Sequence, residues 1–113
     1  MNRTAAAAAM AVGVLASGCA AAAKQTYQPT DTAPQWLIEG RESGLGQLTI
    51  SINGTPVIQG KVSIWSGEGD FSGSFEGKNL RALCSKAEGS GIRTRCALQM
   101  DGQKITTLHF KVL

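Results

Sequence analysis

The chain has 113 residues, 42% of them hydrophobic and 17% charged, and its eleven Lys and Arg against eight Asp and Glu give a formal charge of +3. That length holds one small domain and is marginal for burying a large core. So slight a positive excess does not argue for a nucleic-acid binder, whose phosphate contacts call for a concentrated basic footprint.

The N-terminus carries Arg3 and then a run from Ala5 to Ala16 that is apolar apart from Gly13, the pattern of a secretory signal. A membrane-spanning helix needs about 20 apolar residues, and this run stops short of that at Ser17 and Gly18. Small residues then lead directly into a cysteine, as Ala16-Ser17-Gly18-Cys19. This resembles the lipobox of bacterial lipoproteins, with Leu15 one place earlier than the usual leucine and Ala16 where that leucine is commonest. The resemblance implies that residues 1–18 are a cleaved signal peptide. It also implies that the Cys19 thiol carries diacylglycerol, and that the new amino terminus is often acylated as well. One acyl chain holds a protein at a membrane only marginally, whereas two hold it stably, so a diacylated thiol suffices. Ala20 stands where an aspartate would mark inner-membrane retention, so the resemblance favours the outer membrane, with the protein facing the periplasm.

Three cysteines are an awkward count for an exported protein unless one is consumed otherwise. Lipidation of Cys19 leaves Cys84 and Cys96 to pair as a disulfide in an oxidising compartment. A zinc site would need two further ligands, His109 is the sole histidine, and no Cys-x-x-Cys occurs, so neither metal nor cofactor is expected.

Residues 20–34, "AAAAKQTYQPTDTAP", show no apolar periodicity and contain two prolines. With Cys19 they read as a lipidated terminus and flexible tether over 19–34, ahead of a β domain over 35–113. From Gln35 the dominant period is two. Leu48, Ile50 and Ile52 alternate with polar residues before Asn53-Gly54, and Cys96, Leu98 and Met100 do the same before Asp101-Gly102; both dipeptides are strong hairpin signals. The two stretches, "ISINGTPV" and "LQMDGQKI", echo one another at an offset of 48. After each turn the alternation changes phase, which calls for a bulge or a longer turn in the returning strand, with Gly60 and Thr106-Thr107 as the expected places.

Further strands are expected over Trp36–Arg41, Lys61–Ser66 and Asp70–Glu76, and Gly73 within "FSGSF" reads as a bend or bulge. About seven short strands with glycine turns predict an all-β antiparallel meander, closing as a sandwich or small barrel. If Asn79–Lys86 and Ile92–Met100 form a hairpin, a register with Cys84 opposite Cys96 also pairs Ala82 with Leu98 and Leu80 with Met100 on one face. It sends Arg81, Ser85, Arg93 and Arg95 to the other.

Catalytic signals are sparse. His109 could serve as a base, but no local motif marks a nucleophile beside it. Glu68 and Asp70 flank a glycine, where an acid and base pair is conceivable, yet acidic residues favour turns for backbone hydrogen bonding alone. Trp65 falls on the outward parity of "KVSIWSG" and, with Arg81, Arg93 and Arg95, makes a candidate surface for a sugar or partner. The chain from Lys78 onward holds seven basic residues against Glu88 and Asp101, a candidate basic face for an anionic glycan or an acidic envelope protein. These readings describe a non-enzymatic, lipid-anchored envelope protein. The alternative is a periplasmic inhibitor of lysozyme-type muramidases, because a small disulfide-bearing barrel on a lipoprotein resembles that inhibitor family in plan. "SGIR" at Ser90 to Arg93 is loosely similar to the loop such inhibitors insert into a muramidase cleft.

Overall fold

The computed structural model describes residues 20–63, 66–87 and 92–112, with the backbone alone for 92 and 93. Eight antiparallel strands make one sheet: β1 (Ala21–Tyr27), β2 (Trp36–Glu42), β3 (Gln47–Ile52), β4 (Thr55–Lys61), β5 (Gly69–Phe75), β6 (Lys78–Lys86), β7 (Ile92–Met100) and β8 (Gln103–Val112). Their order is β4-β3-β2-β1-β8-β7-β6-β5. Each strand therefore lies beside its sequence neighbour, β1 pairs with β8, and the barrel is nearly closed, with its seam between β4 and β5 rather than between the chain ends.

The expected all-β meander is what forms. One difference concerns the segment expected as tether: residues 21–27 pair along their whole length with β2, Tyr27 opposite Trp36 and Ala21 opposite Glu42, and Ala21 also faces Val112 of β8. Alanine carries little signal of alternation, so the strand leaves no period in the sequence. Its inward residues Ala21, Ala23 and Tyr27 nonetheless pack on the core.

Period-two alternation places Ile38, Leu48, Ile50, Ile52, Ile58, Leu80, Leu98, Leu108 and Phe110 inside with essentially no solvent exposure. The Phe110 ring lies so close to Gly40 on β2 that any Cβ there would collide with it. Away from the β1 N-terminus, Trp36 stacks edge-on against Phe75 at 5.1 Å and Tyr27 at 5.9 Å, an aromatic plug at that end. A core filled in this way leaves recognition to the outer face and the rims.

Three hairpins turn on paired positive-φ residues, Asn53-Gly54, Glu76-Gly77 and Asp101-Gly102, the conformation of type I′ turns. Both expected phase changes are bulges, but each falls immediately past its turn. The register slips between Ile50/Ile58 and Ser51/Pro56, leaving Val57 unmatched, and between Leu98/Thr106 and Gln99/Lys104, leaving Ile105 unmatched. Gly60 and Thr106-Thr107 sit in regular pairing. The strand expected over Lys61–Ser66 ends at Lys61, and Gly67 N–H closes a turn onto the Ser63 carbonyl at 2.7 Å. Gly73 is neither bend nor bulge: it pairs in register with Leu80, and its missing side chain lets the Val57 carbonyl of β4 approach across the seam.

The halves β1–β4 and β5–β8 share one register. Ala21 faces Glu42 as Gly69 faces Cys84, Ile38 faces Ile52 as Leu80 faces Met100, and Ile50 faces Ile58 as Leu98 faces Thr106.

Candidate functional site

Cys84 and Cys96 lie opposite one another in the β6–β7 hairpin with their sulfurs 2.07 Å apart, inside the barrel. Ala82 faces Leu98 and Leu80 faces Met100, the register expected from the hydrophobic pattern. Arg81 and Arg95 are exposed on the outer face. They are not brought together: Arg95 faces Ser85, so Arg81 lies four residues along β6, roughly 13 Å away.

Arg81 is engaged. Its Nε donates to Asp70 Oδ1 at 2.9 Å and its Nη2 to Oδ2 at 2.6 Å, a two-pronged pair between β5 and β6. The guanidinium's hydrogen bonds hold the Asp70 carboxyl below its usual range, against the opposing effect of desolvation and with help from the Arg81 charge; the same hydrogen bonds raise Arg81. Asp70 is thus committed to Arg81 rather than available as half of an acid and base pair with Glu68. Cys19, Trp65 and residues 88–91, including most of "SGIR", lie outside the described residues, as does the side chain of Arg93.

A basic outer face is centred on β1. Ala22 points outward, with Arg41 of β2 opposite it on one side and Lys111 of β8 on the other. In the next row Lys24 lies 3.8 Å from Glu39, and along β8 His109 faces Arg95 of β7. Because alanine is short and its neighbours are long, the surface dips on both sides of Ala22. One open depression of about 340 Å³ is lined by Lys24, Glu39, Gly40 and Arg41, and another of about 470 Å³ by Lys24, Gln25, His109 and Lys111.

Arg41 and Lys111 form no ion pair among the described residues, whereas Lys24 is partly offset by Glu39. The chemistry on offer is anion recognition. Among the described residues His109 has no hydrogen-bonding hydroxyl, thiol or carboxylate, and no group of three His, Cys, Asp or Glu comes together as a metal site.

The sequence pattern pointed to Arg95 and counted Lys111 in the basic C-terminal half but missed Arg41 and Lys24, and these four meet only because β1 inserts between β2 and β8. The signal that could have found them is a cation near the end of alternate strands, which needs the strand count first. No protein family, no curated protein and no solved structure matches the chain.

Proposed function

We propose that this is a lipid-anchored, non-enzymatic protein of the bacterial envelope, acylated at Cys19 and held at the outer membrane facing the periplasm. Its basic outer face binds an anionic envelope component, whether a glycan or an acidic protein. The observation that carries the reading is the gathering of Arg41, Lys111, Lys24 and Arg95 around β1, on a barrel whose interior is filled by its own side chains. Charge-lined open depressions suit extended anionic ligands better than small enclosed substrates.

Crosslinking in intact cells, followed by identification of copurifying components, tests this. Native protein should capture a partner that Arg41→Glu with Lys111→Glu loses, and equal capture by both forms rejects the face as the binding site. Labelling with radioactive palmitate, lost in Cys19→Ser, tests the anchor separately. The muramidase-inhibitor assignment draws support from the barrel plan with its internal cysteine bridge. Potent inhibition of lysozyme by the purified chain, with no partner captured in cells, would put that assignment first.

A further inference from the structure

We infer that the barrel end joined to Cys19 is a membrane-docking rim for anionic phospholipid headgroups, an inference that rests on the lipid anchor proposed above and gives one end of the basic face a second anionic partner, the bilayer surface. The strands β2, β4, β6 and β8 all run toward this end, because every neighbouring pair is antiparallel. Each finishes with a basic residue in its last two positions: Arg41, Lys61, Lys86 and Lys111. All four are exposed. By alternation Arg41, Lys61 and Lys111 point outward, while Lys86 stands at the mouth of the barrel. Among the described residues Glu68 is the one exposed acid at this rim that forms no ion pair, since Asp70 is held by Arg81 and Glu42 is buried. The opposite rim instead carries Asp31, Glu76 and Asp101 beside Lys78 and Lys104.

Position matters as much as charge. Ala21, the first residue of β1, follows Cys19 by two residues, a span of at most about 7 Å. That is close to the thickness of one headgroup layer, about 6 Å, so an acyl chain in the bilayer leaves this rim no room to stand clear of the headgroups. The tip of the β2–β3 connection at the same rim presents Leu45, 74% exposed. Its shape is fixed by the Ser43 hydroxyl, which accepts from Leu45 N–H at 3.2 Å and Gln47 N–H at 3.1 Å. Val112, 48% exposed, ends β8 beside Ala21. Apolar tips ringed by cations are the arrangement that favours an anionic interface.

The test uses the native acylated chain reconstituted in vesicles of phosphatidylcholine alone or with added phosphatidylglycerol, probed with an amine-reactive reagent and read by mass spectrometry. Lys61, Lys86 and Lys111 should lose reactivity several-fold in the phosphatidylglycerol vesicles and regain it in high salt, while Lys78 and Lys104 stay unchanged. Each rim cation contributes about a fivefold gain in surface residence. Leu45→Asp, a loop-tip change that spares the core, should weaken the protection. Equal reactivity of all five lysines in both vesicles, with the chain acylated and membrane-bound, overturns docking while leaving the anchor intact. A chain that carries no acyl group on Cys19 and stays in the buffer overturns the anchor and the docking together.

Discussion

Asn53 and Asp101 hold equivalent places in the two halves of the barrel. Asn53 Oδ1 accepts from Leu37 N–H at 2.9 Å and Asp101 Oδ1 accepts from Asn79 N–H at 2.9 Å, while the amide of each donates back to the carbonyl of the same partner, at 2.9 and 2.8 Å. Each thus ties a turn to the strand beyond its own hairpin, while holding a positive φ of 51°. Alanine at either site loses a hydrogen bond and the tolerance of Asn and Asp for that backbone region. Asn53→Ala and Asp101→Ala should each lower the unfolding free energy by about 1–2 kcal/mol in urea denaturation. Asp101→Asn, which keeps the acceptor, should cost little. Equal losses for Asp101→Ala and Asp101→Asn would show that the carboxylate charge, not the acceptor, matters there.

The Cys84–Cys96 bridge closes a loop of sequence separation 12 inside a small barrel. Cross-linking a loop of this size stabilises by about 3 kcal/mol in the chain-entropy model. Replacing both cysteines by alanine should therefore lower the urea midpoint with the far-ultraviolet circular dichroism retained below it. Reduction of the native chain should move the midpoint the same way, and an unmoved midpoint after verified reduction would remove the bridge from the account of stability.

Asp70 and Arg81 set a pH signature with a definite sign. The Asp70 carboxyl ionises below its usual range because Arg81 donates to it, so the pair's contribution is present above the ordinary carboxylate value of about 3.9 and disappears as pH falls through the lowered folded value. Both side chains are half exposed, so the effect on global stability should be barely detectable. The titration itself is the better readout. By carbon-detected nuclear magnetic resonance the Asp70 midpoint should lie below the ordinary aspartate range, and Arg81→Ala should bring it up into that range.

How far these relations can be read in advance depends on what each residue signals. Asn53-Gly54 and Asp101-Gly102 announce their hairpins because few residues accept paired positive φ, and the cysteine register follows from the alternation of Leu80, Ala82 and Cys84 against Cys96, Leu98 and Met100. Glu76-Gly77 makes the same turn with a residue that carries little turn signal. The phase changes foretell bulges but not their places. Gly60 is small for another reason, since the Phe71 ring lies where its Cβ would be. β1 is the largest omission, and the candidate site goes with it: the cations around Ala22 come from four strands and become neighbours only through the pairing of β1 with β8.

The seam between β4 and β5 makes Gly73 a sensitive position. No ladder joins these strands, and the Val57 carbonyl and Ile58 Cγ1 occupy the place of a Gly73 side chain, the latter 2.9 Å from an ideal Cβ. Gly73→Val has no flexible neighbour to displace, since a backbone carbonyl cannot swing aside, and overpacking of this kind costs about 1–3 kcal/mol. Hydrogen exchange in that variant should rise first along β4 and β5. The β1–β8 junction, paired by backbone hydrogen bonds, should keep its protection, and a loss spread evenly over all strands would mean the seam is no weaker than the rest.

Glu42 offers the opposite case, a residue whose replacement should stabilise. It sits on the inward parity of β2, 2% exposed, between Ala21 of β1 and Leu48 of β3, and among the described residues its Oε1 has no hydrogen-bond partner. An unpartnered polar atom in a core costs about 1–3 kcal/mol, the penalty of desolvation without a compensating bond. Glu42→Leu keeps a similar volume while removing the polar atoms, and should raise the urea midpoint by an amount in that range. Glu42→Gln retains an uncharged polar end and should gain less. Because Glu42 lies on the β2 end nearest Cys19, beside the outward-pointing Arg41, the stabilised variant also reports on function: if Glu42→Leu folds more tightly yet captures the envelope partner as the native chain does, the carboxylate is a tolerated defect of packing. A gain in stability accompanied by loss of capture would instead mean that the carboxylate is retained for binding, the trade between stability and activity that functional sites commonly show.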